Sequence, residues 1–472
     1  MRSFLRLPWL LALLLVLGNV TTAHASHLLG GDITYTPVLS TTAGVPRYHV
    51  VIRRVLNAAI ADGALAVTLN ATLGACGTPG AGSFSVSAPR LRLLDGSVMG
   101  CGGPATPVYQ VAIHEVDIDL PAGQWVLSFT EPARANGIQN ITNAGAFALY
   151  LSAYLDNSTG TTNSSPKFGS IGLSYNSAAA IAPLSLAAFD ADGDSLRYEL
   201  ISPAAGCNQP LAGTLTPHFG LHAGTGQLTP MTGNSTQGVY NVTVKVSEYR
   251  RTNGRWVLIG YVVRESLYYL YATTNQPPTF TTMQVGGGAA QSLSTLIAAQ
   301  PGQTVTVALQ ATDPDAGQAI RFVSEALAVV PGLSLTRIGT TNAAQLTWQV
   351  PATLPPGRYS IPVAVFDDGC PFNASEERTL VFVVGSTALA ARAGSTATAE
   401  VYPTPFREQV QFKTVPNQVV VLFDALGREV ARLTSAADGR VHWQPASSLP
   451  AGLYLVRSAA DGQPLARLLR AE

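Results

Sequence analysis

Turn-forming residues recur along this chain at intervals too short for helices. It contains 44 Gly and 31 Pro in 472 residues, and these punctuate short runs of alternating apolar and polar side chains such as Tyr48 to Arg53 and Ala64 to Leu69. Alternation with period two is the mark of a half-buried strand, whereas a helix needs an apolar stripe repeating every three to four residues. No stretch beyond the N-terminal region sustains that helical period with caps. The expectation is therefore an all-β chain built as tandem β-sandwich domains.

Length divides the chain further. At ~100 to 150 residues per core, three or four domains are expected. Ser26 to Ser165 reads as the first, with strand-like runs at Val108 to Leu120, Trp125 to Thr130 and Ala146 to Tyr154, and a closing Asn/Ser/Thr/Gly linker from Asn157. A second unit runs from Ile181 to Ala272 and a third from Asn275 to Val384. Gly385 to Thr398 is an unpatterned tether, and Val401 to Glu472 is a final small β unit. Leu120-Pro-Ala-Gly-Gln-Trp125, Leu354-Pro-Pro-Gly-Arg-Tyr359 and Leu449-Pro-Ala-Gly-Leu-Tyr454 repeat one device: a Pro-Gly turn ahead of an aromatic that starts a strand and folds into the core.

Lys and Arg together number 28, as do Asp and Glu, and the only lysines are Lys167, Lys245 and Lys413. A nucleic-acid binder needs clustered cations to displace counterions, so that class is excluded. The Arg pairs 53–54 and 250–251 read as exposed faces or ends of strands. At the N-terminus, Arg2 and Arg6 precede an apolar run from Leu10 to Leu17, and Ala23-His24-Ala25 gives a small-x-small cleavage pattern. Residues 1–25 read as a secretory signal peptide, too short to span a bilayer. The expected product is secreted, with no transmembrane segment after cleavage. Its four cysteines, Cys76, Cys101, Cys207 and Cys370, would then meet an oxidising compartment. Cys76 and Cys101 share one predicted domain and are the expected disulfide.

One constellation carries chemical content. Asp190, Asp192 and Asp194 alternate around Gly193 at the end of a strand, a spacing that lets several carboxylates converge on one hard cation with oxygen ligands, and calcium is the expected cofactor. The segment is not an EF-hand, since Ser195 and Ile201 occupy the positions that need Gly and Glu. His218 and His222 have zinc spacing for a helix, but Pro217 and Gly220 argue against a helix there. Nothing in the chain singles out a catalytic pair or triad, so an enzyme is not expected.

Three resemblances add to these readings. The order from Tyr402-Pro403-Thr404-Pro405, through Asp424-x-x-Gly427-Arg428, to Leu449-Pro-Ala-Gly452-Leu-Tyr454 resembles the C-terminal sorting domain of type IX secretion cargo, with Thr404 where that family usually has Asn. It implies export by the type IX secretion machinery, with Tyr402, Pro403, Pro405, Gly427, Arg428, Gly452 and Tyr454 as the sorting signal. The start His27-Leu-Leu-Gly30-Gly31-Asp32-Ile-Thr-Tyr35 resembles the opening of large surface proteins associated with gliding motility in bacteria that use that pathway. The second and third units resemble cadherin-like or immunoglobulin-like repeats, which implies Glu248 as a further calcium ligand and Asp313, Asp315, Asp367 and Asp368 as the matching set in the third unit.

Together these imply a secreted protein, displayed at the outer-membrane surface or released, with an adhesive or stalk role and a cell-surface polysaccharide or protein as ligand. The rival reading is a carbohydrate-binding protein or enzyme with its site in the first domain, using Tyr35, Tyr48, Tyr109, Trp125 and Tyr150.

Overall fold

The computed structural model describes residues 28–471 apart from 61, 77–78, 97–108, 133, 171–172, 232–234, 371–372, 386–400, 404, 425–427, 447 and 460–463. The signal peptide, most of the tether, Cys101 and Gly427 lie outside the described residues. The described chain is all β, with two short 3-10 turns and no α-helix, and none of its helical turns is long and apolar enough to cross a membrane. It forms two compact units, Met1–Ser386 and Thr387–Glu472.

The first unit begins with β1 (Leu28–Val38), β2 (Arg47–Asn57), β3 (Ala66–Leu73), β4 (Phe84–Gly96), β5 (Tyr109–Asp119), β6 (Gln124–Glu131) and β7 (Leu149–Asp156). Short strands β8 (Lys167–Phe168), β9 (Ser174–Ser177), β10 (Leu184–Ser185) and β11 (Ala188–Phe189) follow. Then come β12 (Ser195–Leu200), β13 (Phe219–Leu221), β14 (Gln227–Pro230), β15 (Gly238–Thr252) and β16 (Arg255–Tyr271). Pairing runs β1-β2-β5-β4-β3-β6-β7-β16, and Gly31 of β1 pairs again with Glu265 of β16, so these eight strands close on themselves. On its other side β16 pairs along β15, which carries β12, and its last residues take β9 in parallel.

The expected boundary between residues 165 and 181 therefore does not separate two sheets. At about 3.3 Å per residue, the 17-residue β16 spans roughly 55 Å, enough to serve two sandwiches in succession. One apolar core runs through both, from Tyr35, Tyr48 and Trp125 to Phe168, Tyr198 and Tyr268. The segment read as a linker is buried at Asn157, Asn163, Ser164 and Ser165. Its side chains hold backbone: Asn157 Nδ2 donates to Leu120 O, and Ser165 Oγ accepts from Tyr35 N at 2.9 Å. Polar composition marks this stretch as loop, but Asn157 and Ser165 spend their polar groups on buried main-chain partners.

Gly30 and Gly31 lie inside β1 where it is squeezed between β2 and β16. A Cβ on Gly30 would sit 2.3 Å from Glu265 O, and one on Gly31 2.2 Å from Arg53 O. Buried ion pairs surround this crossing. Arg53 grips Asp32 through two 2.7 Å hydrogen bonds, and Arg134 grips Glu265 at 2.8 and 2.7 Å.

The disulfide differs from expectation: Cys76 is bonded to Cys207, not to Cys101. Cys76 follows β3 and Cys207 follows β12. Although 131 residues apart in sequence and on strands separated by four others in the sheet order, the two loops meet and are joined.

Residues 279–384 form a β-sandwich of their own. One sheet is ordered Thr279–Val285, Thr304–Thr312, Ala343–Gln349, Leu333–Arg337; the other is Ile297–Ala299, Ser375–Val384, Gly357–Phe366, Arg321–Val323. Trp348, Tyr359 and Phe382 pack between them. This sandwich is docked onto the preceding sheets by polar contacts at strand Ser375–Val384: Gln227 donates to Glu377 O and accepts from Thr379 N at 2.8 Å, and Glu377 N donates to Pro183 O. A three-stranded sheet, β10-β14-β13, lies on this side of the sandwich, with β10 against strand Ser375–Val384.

The C-terminal unit is a smaller sandwich. Strands Val401–Tyr402, Val410–Lys413 and Arg440–Trp443 form one sheet, and Glu429–Thr434, Val419–Phe423, Gly452–Ser458 and Pro464–Arg470 the other, closing over Phe406, Phe412, Trp443 and Tyr454. The repeated Pro-Gly-aromatic device has one geometry in all three places. Trp125 Nε1 donates to Pro121 O at 2.8 Å, Tyr359 OH to Pro355 O at 2.6 Å, and Tyr454 OH to Pro450 O at 2.5 Å. Each ring is buried, and its polar tip returns to the carbonyl four residues back, which removes the cost of burying that tip unpaired.

Candidate cation site

Strand β11 ends at Phe189, and the next residues turn sharply into β12. Gly193 adopts φ 76, a left-handed conformation that favours glycine, and a Cβ there would also meet Pro355 and Tyr359 OH at 3.0 Å. The turn thus projects three carboxylates while abutting the next sandwich. Ligand atoms of Asp190, Asp192 and Asp194 all lie within 4.8 Å of one another, the one such group of three or more among the described residues. Asp190 and Asp194 are buried and Asp192 is half-buried.

Asp190 is the unusual member. Its Oδ1 accepts from Asp192 N at 2.7 Å, while its buried Oδ2 has no hydrogen-bond partner. Burial first, then the neighbouring Asp194 and Asp192, push its carboxyl up to about 7. Beside it, Glu248 on β15 is fully buried and likewise raised, by burial and by Asp190. Glu248 Oε2 accepts from Asn163 Nδ2 at 2.7 Å, and Tyr35 OH stands 3.5 Å from Oε1. Its hydrogen-bonded link to the turn runs through Asn163 and then Arg250 to Asp194, so Glu248 adjoins the three aspartates as an outer partner.

Two residues that the sequence reading did not assign complete the arrangement. Arg250 donates from Nε and Nη2 to the two oxygens of Asp194 at 2.8 and 2.6 Å, reaches Asp192 at 3.4 Å, and also donates to Asn163 Oδ1 at 2.8 Å. Its guanidinium is held more firmly charged by Asp194. Of the Arg pair 250–251, expected at an exposed face or end of a strand, Arg251 is exposed, but Arg250 is a half-buried, built-in counter-cation. Asn163 was assigned to a linker. Neither carries a sequence signature, because each is brought to the turn only by the shared sheet.

In the third sandwich the four acidic residues do not converge in this way. Asp367 accepts from Gly369 N, Ala374 N and Asn275 Nδ2; Asp368 accepts from Ala319 N and Asp315 from Gln276 N. Each staples a loop backbone. Asp313 accepts from Asp315 N and keeps a second oxygen without a hydrogen-bond partner. His218 and His222 are structural: the first contacts Tyr268 OH at 3.0 Å, the second its own turn at Gly224 and Thr225.

Of the aromatics considered for sugar binding, Tyr35, Tyr48, Tyr109 and Trp125 are core, and Tyr150 alone is half-exposed. In the C-terminal unit, Tyr402, Pro403 and Pro405 are exposed, Arg428 pairs with Asp424 at 2.7 Å, Gly452 opens a strand and Tyr454 is core.

The chain matches no protein-family model and no curated protein. Among solved structures it aligns with Drosophila N-cadherin EC1-4 at 12% identity, over 64% of this chain and 73% of that one, with a TM-score of 0.21. The protocadherin GammaB4 extracellular domain aligns at 13% identity over 85% and 63%, TM-score 0.18. Sidekick-1 immunoglobulin domains 1-4 align at 11% identity over 93% and 99%, TM-score 0.14. These neighbours are cadherin-like and immunoglobulin-like extracellular domains; the all-β assignment stands on the sheets of this chain itself.

Proposed function

We propose that this is an extracellular surface protein with an adhesive or stalk role, whose fused β-sandwich body is braced by calcium at the Asp190 turn. The observation that carries this reading is the Asp190 carboxylate. A buried carboxylate oxygen without a partner costs free energy, and a hard cation shared with Asp192 and Asp194 removes that cost. Because the turn abuts Pro355 and Tyr359 of the next sandwich, a cation held there stiffens the joint between consecutive modules. A disulfide between distant loops fits an oxidising, extracytoplasmic location.

Export is assigned to the type IX machinery on the resemblance of residues 401–472 to its sorting domains. Support comes from their forming a compact unit of their own, with Tyr402, Pro403 and Pro405 exposed to a receptor. Display at the surface goes with that export route, and participation in gliding rests on the separate resemblance of the His27 to Tyr35 start. The role is binding and structure, not catalysis.

Deleting residues 401–472 in the producing cell tests the export half of the reading, with immunoblots of medium, surface and periplasm. Retention in the periplasm of a folded, disulfide-bonded remainder is expected; normal delivery to the surface or medium would overturn it.

A further inference from the structure

The outer face of β7, β16 and β15 forms the floor of a cleft of about 500 Å³. Strand alternation sends Leu149, Leu151, Ala153 and Leu155 inward, which leaves Tyr150, Ser152 and Tyr154 on the opposite face. Tyr261 lies directly across from Tyr154 in register, and their rings stack at 5.3 Å. Lys245, on the next strand, places its ammonium 4.7 Å from the centre of the Tyr261 ring. It is half-buried, and it makes no ion pair among the described residues. No carboxylate lines the cleft, and Lys245 is the one charged group in its lining.

The opposite wall is the loop after β12. Cys207 ties it to Cys76, Asn208 Nδ2 donates to Cys76 O at 3.2 Å, and Ala204 bridges to Pro210, so the wall is held in place before any ligand arrives. Asn208 and Gln209 stand exposed along its rim, facing a floor of tyrosine and serine hydroxyls.

From these features we infer that the cleft binds an acidic polysaccharide through a uronate unit, its carboxylate meeting Lys245 and its hydroxyls meeting the tyrosine, serine and amide groups. An unpaired ammonium in a concave site calls for an anion, and the surrounding hydroxyls and amides match a polyhydroxylated ligand. A peptide strand is disfavoured at Lys245 and Tyr261, because there β15 and β16 are paired on both sides and offer no edge for backbone hydrogen bonds. This names the ligand class for the extracellular reading and rests on that reading for where the ligand is met; calcium binding and export do not enter it.

The test is equilibrium binding of the full chain, in chelator-treated buffer, to immobilised alginate, with dextran as neutral polysaccharide and poly-glutamate as acidic peptide. Binding to alginate over both controls is expected. Lys245→Met should weaken it about tenfold, the loss of one charge-assisted contact, while Lys245→Arg retains most of it. A double Arg251→Ala, Arg255→Ala variant, which discharges the exposed tip of the β15–β16 hairpin, should bind like wild type. No binding to alginate, equal binding to poly-glutamate or dextran, or loss in the hairpin variant with Lys245→Met unaffected would each overturn the assignment. Melting curves of the variants separate a lost contact from a lost fold. Because the assay needs neither calcium nor secretion, its failure is distinct from a failure of the proposed function.

Discussion

Arg250 clasps Asp194 through two hydrogen bonds of 2.8 and 2.6 Å, so one of the three clustered carboxylates already holds a cation from its own chain. Calcium and this guanidinium compete for the same oxygens. Arg250→Gln should therefore lower stability in chelator, by about 2 kcal/mol, less than for a fully buried pair because the Arg250 side chain is 25% exposed. The same change should enlarge the calcium-induced rise in melting temperature, since the turn becomes more negative. Paired thermal melts in chelator and in calcium check both halves; a smaller calcium response in the variant would mean that Arg250 helps to build the site.

Glu377 joins the second and third sandwiches. Its carboxylate accepts from Ser185 N at 3.1 Å, yet burial, aided by Glu325 and opposed by Arg264, pushes it up to about 7. The folded value lies above the ordinary 4.5, so this group favours the folded state below about pH 4.5 and loses that contribution as pH rises through 7. Urea denaturation at intervals from pH 5 to 8 should show Glu377→Gln less sensitive to rising pH than wild type. Parallel curves for the two proteins would remove Glu377 as a contributor.

Gly31 sits where no side chain fits, with Arg53 O 2.2 Å and Leu151 Cδ1 2.9 Å from the position a Cβ would take. Gly31→Ala should cost about 3 kcal/mol by forcing β1 away from β2 and disturbing the Asp32–Arg53 pair. Gly63→Ala, whose added carbon meets nothing within 4 Å, should change stability by less than about 0.5 kcal/mol. Equal effects in urea unfolding would show that β1 shifts freely and that the close crossing is not a constraint.

Strands with regular alternation were legible in the chain: Tyr48 to Arg53 and Trp125 to Thr130 both fall inside observed strands. So was the small C-terminal unit, and so was the convergence of Asp190, Asp192 and Asp194, because their spacing is local. What escaped was non-local. Strand β4 escaped because its alternation changes phase: the apolar residues fall at 84, 86 and 88 and then at 91 and 93, with a register shift between Arg90 and Arg92. The disulfide partner was misread because sequence distance is a poor guide to distance across a sheet whose neighbours come from different parts of the chain. Asn163 and Arg250 become site residues only because β15 and the 157–165 segment converge on the Asp190 turn, a consequence of β16 serving both sandwiches.

That shared strand also means residues 181–272 cannot be cut out as an independent sample, so the decisive experiment uses the full chain. Its melting should be followed by calorimetry in chelator and in calcium, for wild type, Asp190→Asn and Asp192→Ala. With affinity in the range of extracellular modules, ~0.1 to 1 mM, calcium at ten times Kd should stabilise the wild-type body by about 1.4 kcal/mol. Asp190→Asn should be at least as stable as wild type in chelator, because it neutralises a buried carboxylate, and both variants should lose most of the calcium response. A wild-type melt that moves with neither calcium nor chelator would contradict the calcium brace and leave the Asp190 turn as a backbone feature closed by Arg250.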